Sequence, residues 1–442
     1  MKIGTFKMKL YHGDCLEELK KLEDNSVDAV ITDPPYGLSN TKPQQVADVL
    51  KAWVTGDTVS VPAKRGGFMG KDWDSFVPPP AVWEECMRVL KPGGHMAVFA
   101  GARTQDLMGL SIRLAGFEIR DTLGWIHSQG FPKGQDLGKI IDKKLGAERT
   151  EVAGRGWHIG TGGGSGVTIG HFAEKYEKGD ATVGRKLLAP ATSEAKQWTG
   201  WNSQLKPAIE PIILARKPLD GTVAQNVLAH GVGGLNIDAC RVAHDKQSAD
   251  WVAKWSGHNG HPKGMFGGEI GTQFGGSPAG RFPANVLLDE HAAKEMDKQS
   301  GVLKGRVGMT QHGSGTNSVY GTYERSAQSL VSDGVEDSGG ASRFFPVFKY
   351  QAKAPKKERP VIEREDGTKI QHPTVKPVAL MEWLVELITP HGGTVLDPFA
   401  GSGTTLQAAL NKGFQPIGIE QDADYIKLIE KRLEATCTTH KN

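Results

Sequence analysis

The chain has 442 residues, enough to bury a full catalytic core and carry a second module. Its 53 Lys and Arg against 50 Asp and Glu leave a net charge of only +3, which excludes a global basic field and confines any nucleic-acid contact to a local patch. Four scattered cysteines without a CxxC pair, no signal-peptide core in MKIGTFKMKLYHGD and no apolar run of membrane length argue against a disulfide scaffold, secretion and a membrane span, and for a soluble protein of a reducing cytosol.

From the N-terminus, KLYHGD (9–14) reads as a short strand and CLEELKKL (15–22) as an amphipathic helix. VDAVITD (27–33) is almost continuously apolar, which suits a strand covered on both faces. A long stretch, 39–76, ends in KRGGFMGKDWDSF, whose glycines and basic start predict a flap, with Trp73 and Asp74 either touching a ligand or anchoring the surface. AVWEECMRVLKPGG (81–94) is a helix stopped by Pro92 and two glycines, HMAVFA (95–100) a strand, TQDLMGLSIRLAGF (104–117) a helix and EIRDTLGWIHS (118–128) a strand.

Residues 137–200 break this rhythm. GRGWHIGTGGGSGVTIG (154–170) is too glycine-rich for a helix or regular strand and predicts a mobile surface insertion. KPAIEPIILARKPL (206–219) is a strong strand, and 220–345 has weak periodicity, so an irregular module is expected there. Alternation returns with VALMEWLVELITP (378–390, helix), TVLD (394–397, strand), SGTTLQAALNKG (402–413, helix), PIGIE (416–420, strand) and DADYIKLIEKRLEA (422–435, helix). The organisation is therefore a first half (1–136), a glycine-rich insertion (137–200), a returning core strand (201–219), an irregular module (220–345), a basic linker (346–371) and a second half (372–442). The halves complete one another. Together they predict a doubly wound, mostly parallel α/β sheet of seven strands, circularly permuted by a cut between its second and third strands.

Two strand ends carry the chemistry. Asp33-Pro34-Pro35-Tyr36 leaves the strand at 27–33. Asp33 and the Pro34 carbonyl offer two acceptors to an exocyclic amino group, the prolines stiffen the loop and withdraw donors, and Tyr36 offers a ring for a flat base. Some 360 residues later, Phe399-Ala400-Gly401-Ser402-Gly403-Thr404-Thr405 opens a helix; its glycines allow close backbone approach, and no P-loop lysine is present. Glu420 ends the next strand, where an acid can grip both ribose hydroxyls, and Phe399 reads as a wall of the same pocket. No proline precedes any cysteine, which argues against methylation at cytosine C5, and the histidines lack metal-ligand spacing, so no catalytic metal is expected.

The two loops, in this order, resemble the β-type, permuted amino-methyltransferases of DNA, over residues 8–135 and 372–435. The resemblance implies S-adenosylmethionine as cofactor and double-stranded DNA as substrate, with the target base flipped out of the duplex. It implies Asp33, Pro34, Pro35 and Tyr36 as catalytic residues. For the cofactor it implies Asp14 at the adenine ring and Lys376, in HPTVKP, near the methionine carboxylate, with Asp397, Phe399, Gly401, Ser402, Gly403, Thr404 and Glu420. As an alternative, Asp14 caps the helix starting at Cys15. Asp before Pro-Pro-Tyr leans to adenine N6, where cytosine N4 enzymes more often carry Ser. The family's recognition module falls between the halves, at 220–345. The run 342–359, with Arg343, Lys349, Lys353, Lys356 and Lys357 among four aromatics, reads either as a DNA contact or as a solvated linker. The resemblance also admits a cognate restriction enzyme, a homodimer and the cytoplasm of a prokaryotic or phage-infected cell. An RNA amino-methyltransferase usually keeps the cofactor loop first, and a silent DNA-binding protein on this fold would show decayed loops.

Overall fold

The computed structural model describes residues 2–3, 6–39, 41–62, 72–128, 130, 134–150, 152–157, 184–244, 279–304, 315–317, 321–323, 338–348, 359–364 and 366–439. The expectations for Lys349, Lys353, Lys356 and Lys357, and for 158–170, lie outside these residues. Residues Met1–Ser128 and Ile209–Asn442 form one compact unit, and Gln129–Ala208 a second.

In the larger unit the strands are β1 (Lys9–His12), β2 (Val27–Thr32), β3 (Leu90–Phe99) and β4 (Glu118–Ile126) before the insertion. Within the smaller unit, β5 (Val152–Trp157) and β6 (Gly184–Leu188) pair as a hairpin. The larger unit then continues with β7 (Ile209–Arg216), β8 (Val286–Asp289), β9 (Val347–Phe348), β10 (Thr394–Asp397) and β11 (Gln415–Glu420). One sheet orders them β9-β8-β4-β7-β3-β2-β10-β11-β1. Among these strands β7 alone runs antiparallel to both its neighbours. The permutation is visible in the pairing of β1 with β11, where Tyr11 stands opposite Ile419 and His12 opposite Glu420. All seven expected strands lie in this sheet, joined by β8 and β9.

β8 revises the reading of 220–345, and β9 that of the linker at 346–371. A four-residue run such as VLLD is too short for periodicity to distinguish a strand from loop, yet β8 pairs with β4 and anchors Asp289, which accepts from Ser128 N at 3.1 Å. A second revision concerns the helix expected over 81–94. It ends at Val89, and β3 begins at Leu90. Val27 pairs with Leu90 and Ala29 with His95, so Lys91–Gly94 bulges between two paired stretches, with Gly93 at φ +76° supplying the turn.

Helices cover both faces. All six residues of β2 are buried, which accounts for its unbroken apolar text. Val30 and Met96 pack with Leu19, Trp53, Trp83 and Ile112 from α1 (Cys15–Leu19), α2 (Pro43–Val54), α3 (Pro80–Val89) and α4 (Gln105–Leu114). Ile31 and Ala97 pack on the opposite face, with Leu380, Leu384 and Ala408. These come from helices over Val378–Ile388 and Thr404–Asn411. The first of these helices follows Pro377, which offers no side-chain cap. A cap contributes about 1 kcal/mol, whereas each fully buried Leu contributes roughly 1.5–3 kcal/mol, so packing holds it. No helix among the described residues is long and apolar enough to cross a membrane.

The smaller unit centres on Asp142, which accepts from Arg149 Nε at 2.5 Å, Thr192 Oγ1 at 2.7 Å and Thr192 N at 3.0 Å. Its hairpin revises the expectation for the start of 154–170: glycines in Gly154-Arg155-Gly156 cost chain entropy but keep their backbone donors, and the ladder to Gly184–Leu188 satisfies them.

Candidate active site

The carboxyl ends of β2 and β10 lie side by side, and the sheet order turns outward from this pair in both directions. That is the switch point of a doubly wound sheet, where ligands bind. The loop from β2 carries Asp33–Tyr36, and the loop from β10 carries Phe399–Thr404. Thr32 Oγ1 donates to Asp397 Oδ1 at 2.7 Å and so joins the two loop roots. Asp397 also accepts from Phe399 N at 3.1 Å and from the Thr405 hydroxyl. Expected at the cofactor, Asp397 is instead placed beneath both loops, 2 % exposed, where burial pushes its carboxyl up to about 6.

Four contacts fix the first loop. Tyr36 N and Gly37 N donate to Asp74 Oδ1 at 2.7 and 2.9 Å, and Thr104 Oγ1 donates to the Tyr36 carbonyl at 2.6 Å. Tyr36 OH donates to Asp33 Oδ1 at 2.7 Å. Gly37 sits at φ +67°, and a Cβ there would lie 2.7 Å from Val77 N, so both conformation and space require glycine. Asp74, 2 % exposed, is thus a latch of this loop, while Trp73 is exposed. Pro34 and Pro35 contribute no N–H, so the donors near Asp33 come from side chains.

Lys376 is among them. Expected near the cofactor carboxylate, its ammonium lies 2.8 Å from Asp33 Oδ2, 3.0 Å from Tyr36 OH and 3.1 Å from Glu210 Oε2. Burial works against the charge, but Asp33 and Glu210 outweigh it and hold the Lys376 pKa well above its ordinary value. Burial and the Asp33 charge likewise push the Tyr36 phenol well up. Glu210 is not legible in the sequence as a site residue. It is the second residue of β7, and because β7 runs against its neighbours, its first residues reach the edge where the parallel strands end. The one signal is an acid at the head of an apolar strand.

On the cofactor side, Gly401 at φ +52° and Gly403 at φ +76° curve the backbone into the helix over Thr404–Asn411. A Cβ on Gly401 would lie 3.0 Å from His372 Nε2, and the His372 ring meets Tyr425 edge-on at 4.7 Å, so His372 covers the turn. Glu420 accepts from Gly401 N at 2.7 Å and Asp422 N at 2.8 Å, and burial pushes it up to about 7. Phe399 packs against Trp83, ring centroids 6.4 Å apart, and the Ser402 and Thr404 hydroxyls bond each other at 3.0 Å. Asp14 Oδ1 accepts from Leu16 N at 3.0 Å, which is its helix-capping role, with its other oxygen clear of that bond. Gly13 N donates to the Glu420 carbonyl at 3.0 Å, setting Asp14 beside Glu420. Backbone stripped of side chains at 401 and 403, an acid at the next strand end and an aromatic wall fit a nucleoside bearing two hydroxyls.

Cys15, Cys86 and Cys240 offer no ready thiolate. Burial pushes Cys15 and Cys240 up to about 12, and Cys86 well up also. Arg343, expected at DNA, donates to the Gly339 and Gly340 carbonyls at 2.8 Å each and lies 4.2 Å from the centroid of the Phe344 ring.

Residues 27–431 match the family model for N6/N4 methyltransferases, described as DNA methylase. The type II methyltransferase M.HindIII of Haemophilus influenzae is 22% identical over 447 aligned positions, covering 96% of this chain and 94% of that protein. The DNA adenine methyltransferase YhdJ of Escherichia coli is 46% identical over 63 residues, 14% of this chain and 21% of its own length. The M1.HpyAVI–SAM complex aligns over 97% of this chain and 99% of that one, at 15% identity and a TM-score of 0.37.

Proposed function

Because the chain belongs to the N6/N4 DNA methylase family, we propose that it transfers the methyl group of S-adenosylmethionine directly to N6 of an adenine flipped out of DNA at a specific site. The observation that carries this is the placement of Asp33 and the Gly401–Gly403 turn at neighbouring strand ends, tied by Thr32 and Asp397.

The cofactor, held by Gly401, Gly403, Glu420, Phe399 and Asp14, supplies an electrophilic methyl group. An exocyclic amino nitrogen is a poor nucleophile because its lone pair is shared with the ring. Asp33 and the Pro34 carbonyl accept its two N–H bonds, favour a pyramidal nitrogen and free the lone pair for attack. Methylation leaves the nitrogen one proton in excess, and the Asp33 carboxylate is the acceptor in contact. Rate comes from positioning and from acceptors fixed in advance by Asp74 and Thr104. Asp at position 33 supports adenine N6 over cytosine N4.

DNA is held by local charge. Residues 129–208 carry twelve basic against eight acidic side chains, a surplus above that of the whole chain, so the remainder is slightly acidic. Lys139, Lys143, Lys144 and Lys196 are exposed there, as is Trp201, at 59%. These residues suit phosphate contacts and an aromatic platform, and in the sequence the basic run at 342–359 suits phosphate contacts independently.

The test is methyl transfer from labelled S-adenosylmethionine to unmethylated DNA, followed by digestion and nucleoside mass analysis. N6-methyladenine is the expected product. N4-methylcytosine would overturn the choice of base, and no label in DNA would overturn the reading.

A further inference from the structure

Glu210 takes no part in the transfer just described, yet it shares one ammonium with the catalytic carboxylate. Lys376 Nζ lies 2.8 Å from Asp33 Oδ2, donates to Tyr36 OH at 3.0 Å, and stands 3.1 Å from Glu210 Oε2, an ion pair in which the buried Glu210 oxygen accepts no hydrogen bond. Tyr36 OH meanwhile donates to Asp33 Oδ1. Both oxygens of Asp33 therefore already accept from the protein's own donors. The target amino group needs the same carboxylate.

We propose that Lys376 is a resident stand-in for the target amino group, and that Glu210 is the positioning residue that receives its ammonium when the base arrives. The proposal rests on the methyltransferase reading of Asp33. Its logic is one of charge. Asp33 and Glu210 together carry two negative charges against one ammonium, so one carboxylate is always short of a cation. With Lys376 on Asp33 the loop is held together before DNA binds. With Lys376 on Glu210, Asp33 is a bare acceptor at the moment it is needed.

Driving the ammonium off Asp33 with no second carboxylate would strand a charge whose side chain is 11% exposed, and a buried charge without a partner is strongly unfavourable. Glu210 removes most of that cost, because the cation exchanges one carboxylate for another within the reach of a flexible four-carbon stem. Phe99, whose ring centroid is 4.7 Å from Lys376 Nζ, and Tyr36, at 5.4 Å, keep aromatic faces beside the ammonium. His127 Nε2 stands 3.9 Å from Glu210 Oε1, the oxygen that Lys376 leaves to it.

The experiment compares single-turnover transfer in the full-length protein, wild type, Glu210→Gln, Glu210→Asp and Glu210→Gln/Lys376→Met, with the affinity for S-adenosylmethionine measured separately by calorimetry. The expected result is a loss of about tenfold or more in Glu210→Gln, with cofactor affinity unchanged, and partial recovery in Glu210→Asp. Lys376→Met then raises the rate of the Glu210→Gln protein, because the trapped cation is gone. A double variant no faster than Glu210→Gln would overturn the proposal. So would weaker cofactor binding on loss of Lys376, since the lysine would then belong to the cofactor carboxylate. Transfer by the wild type tests the methyltransferase reading on its own, so failure of one is distinct from failure of the other.

Discussion

Thr32 and Asp397, 365 residues apart in the chain, share a buried hydrogen bond of 2.7 Å that ties the root of the Asp33–Tyr36 loop to the root of the Phe399–Thr404 loop. Thr32→Val keeps the shape of β2 and removes one donor from a buried acid. We expect a loss of about 1–3 kcal/mol in stability, the cost of leaving such an acceptor short of a partner. The loss has a pH signature. Asp397 is raised from 3.8 to about 6, so the native state binds more protons than the unfolded state in that window and stability falls as pH rises through it. Losing the Thr32 donor raises this carboxyl further. Urea unfolding at pH 5 and pH 8 should show a larger deficit for Thr32→Val at pH 8; an equal deficit at both would remove the bond from the ionised form.

Asp33→Ala removes the acceptor from the amino group while leaving the turn at 401–403 untouched. Transfer should fall by at least about a hundredfold, in the range for a positioned acid–base group, with DNA binding still measurable. Near-full turnover in this variant would sink the mechanism.

Much of this site is legible in the amino-acid sequence. The strands at 27–32 and 394–397 are bounded by Asp-Pro-Pro and by Gly-Ser-Gly, so their ends and their loops are both marked in the text. Lys376 stands out in HPTVKP, and Asp33 and Tyr36 in Asp-Pro-Pro-Tyr, but their meeting is not marked in either segment, and Glu210 arrives from the antiparallel β7. Nothing in IEPIILAR says that its strand runs backwards. Asp74 stands out within 39–76 beside Trp73, but its contact is to two backbone N–H groups, and those leave no trace in side-chain pattern. β8 escapes a sequence reading because four residues are too few to show a period.

The latch can be tested directly. Asp74→Ala strips the acceptor from Tyr36 N and Gly37 N, buried donors that then have no partner in its place. The loop should lose its fixed geometry, and kcat should fall by roughly tenfold to a hundredfold, the scale of a misplacement near 1 Å. Asp74→Asn retains an oxygen acceptor and should recover part of the rate. Equal rates in both variants would mean that the charge, rather than the acceptor, matters.

Glu420 should give the proposed cofactor site its own pH dependence. Its carboxyl is raised to about 7 by burial, against which the donors Asp422 N and Gly401 N pull downward. Hydroxyl groups of a bound nucleoside donate best to the ionised form, so binding favours loss of the proton. Affinity for S-adenosylmethionine should rise as pH goes from 6 to 8 and level off above about 7, with a limiting change of about tenfold per unit on the acid side. Calorimetry across this range in two buffers of different ionisation heat would show the proton released below pH 7. Glu420→Gln should bind more weakly and with a flat profile; a profile that keeps its slope would assign the titration elsewhere.

The two basic regions separate by salt dependence. Each phosphate contact adds a counterion-release term, so a lost lysine contact flattens the slope of log affinity against log salt by roughly one unit. Lys139 and Lys143 lie one helical turn apart, both exposed, and can follow a single backbone strand. Replacing both with Ala should lower the slope by up to about two units and weaken binding equally across sequences, with kcat at saturating DNA retained. Lys356→Ala with Lys357→Ala makes the same prediction for the run at 342–359. If only one pair changes the slope, that region carries the phosphates and the other is a solvated surface. Both regions carry a basic surplus of their own, twelve basic against eight acidic side chains over 129–208 and six against one over 342–359, and since screening confines attraction to charges within about a Debye length, the salt slope of each pair ranks them directly.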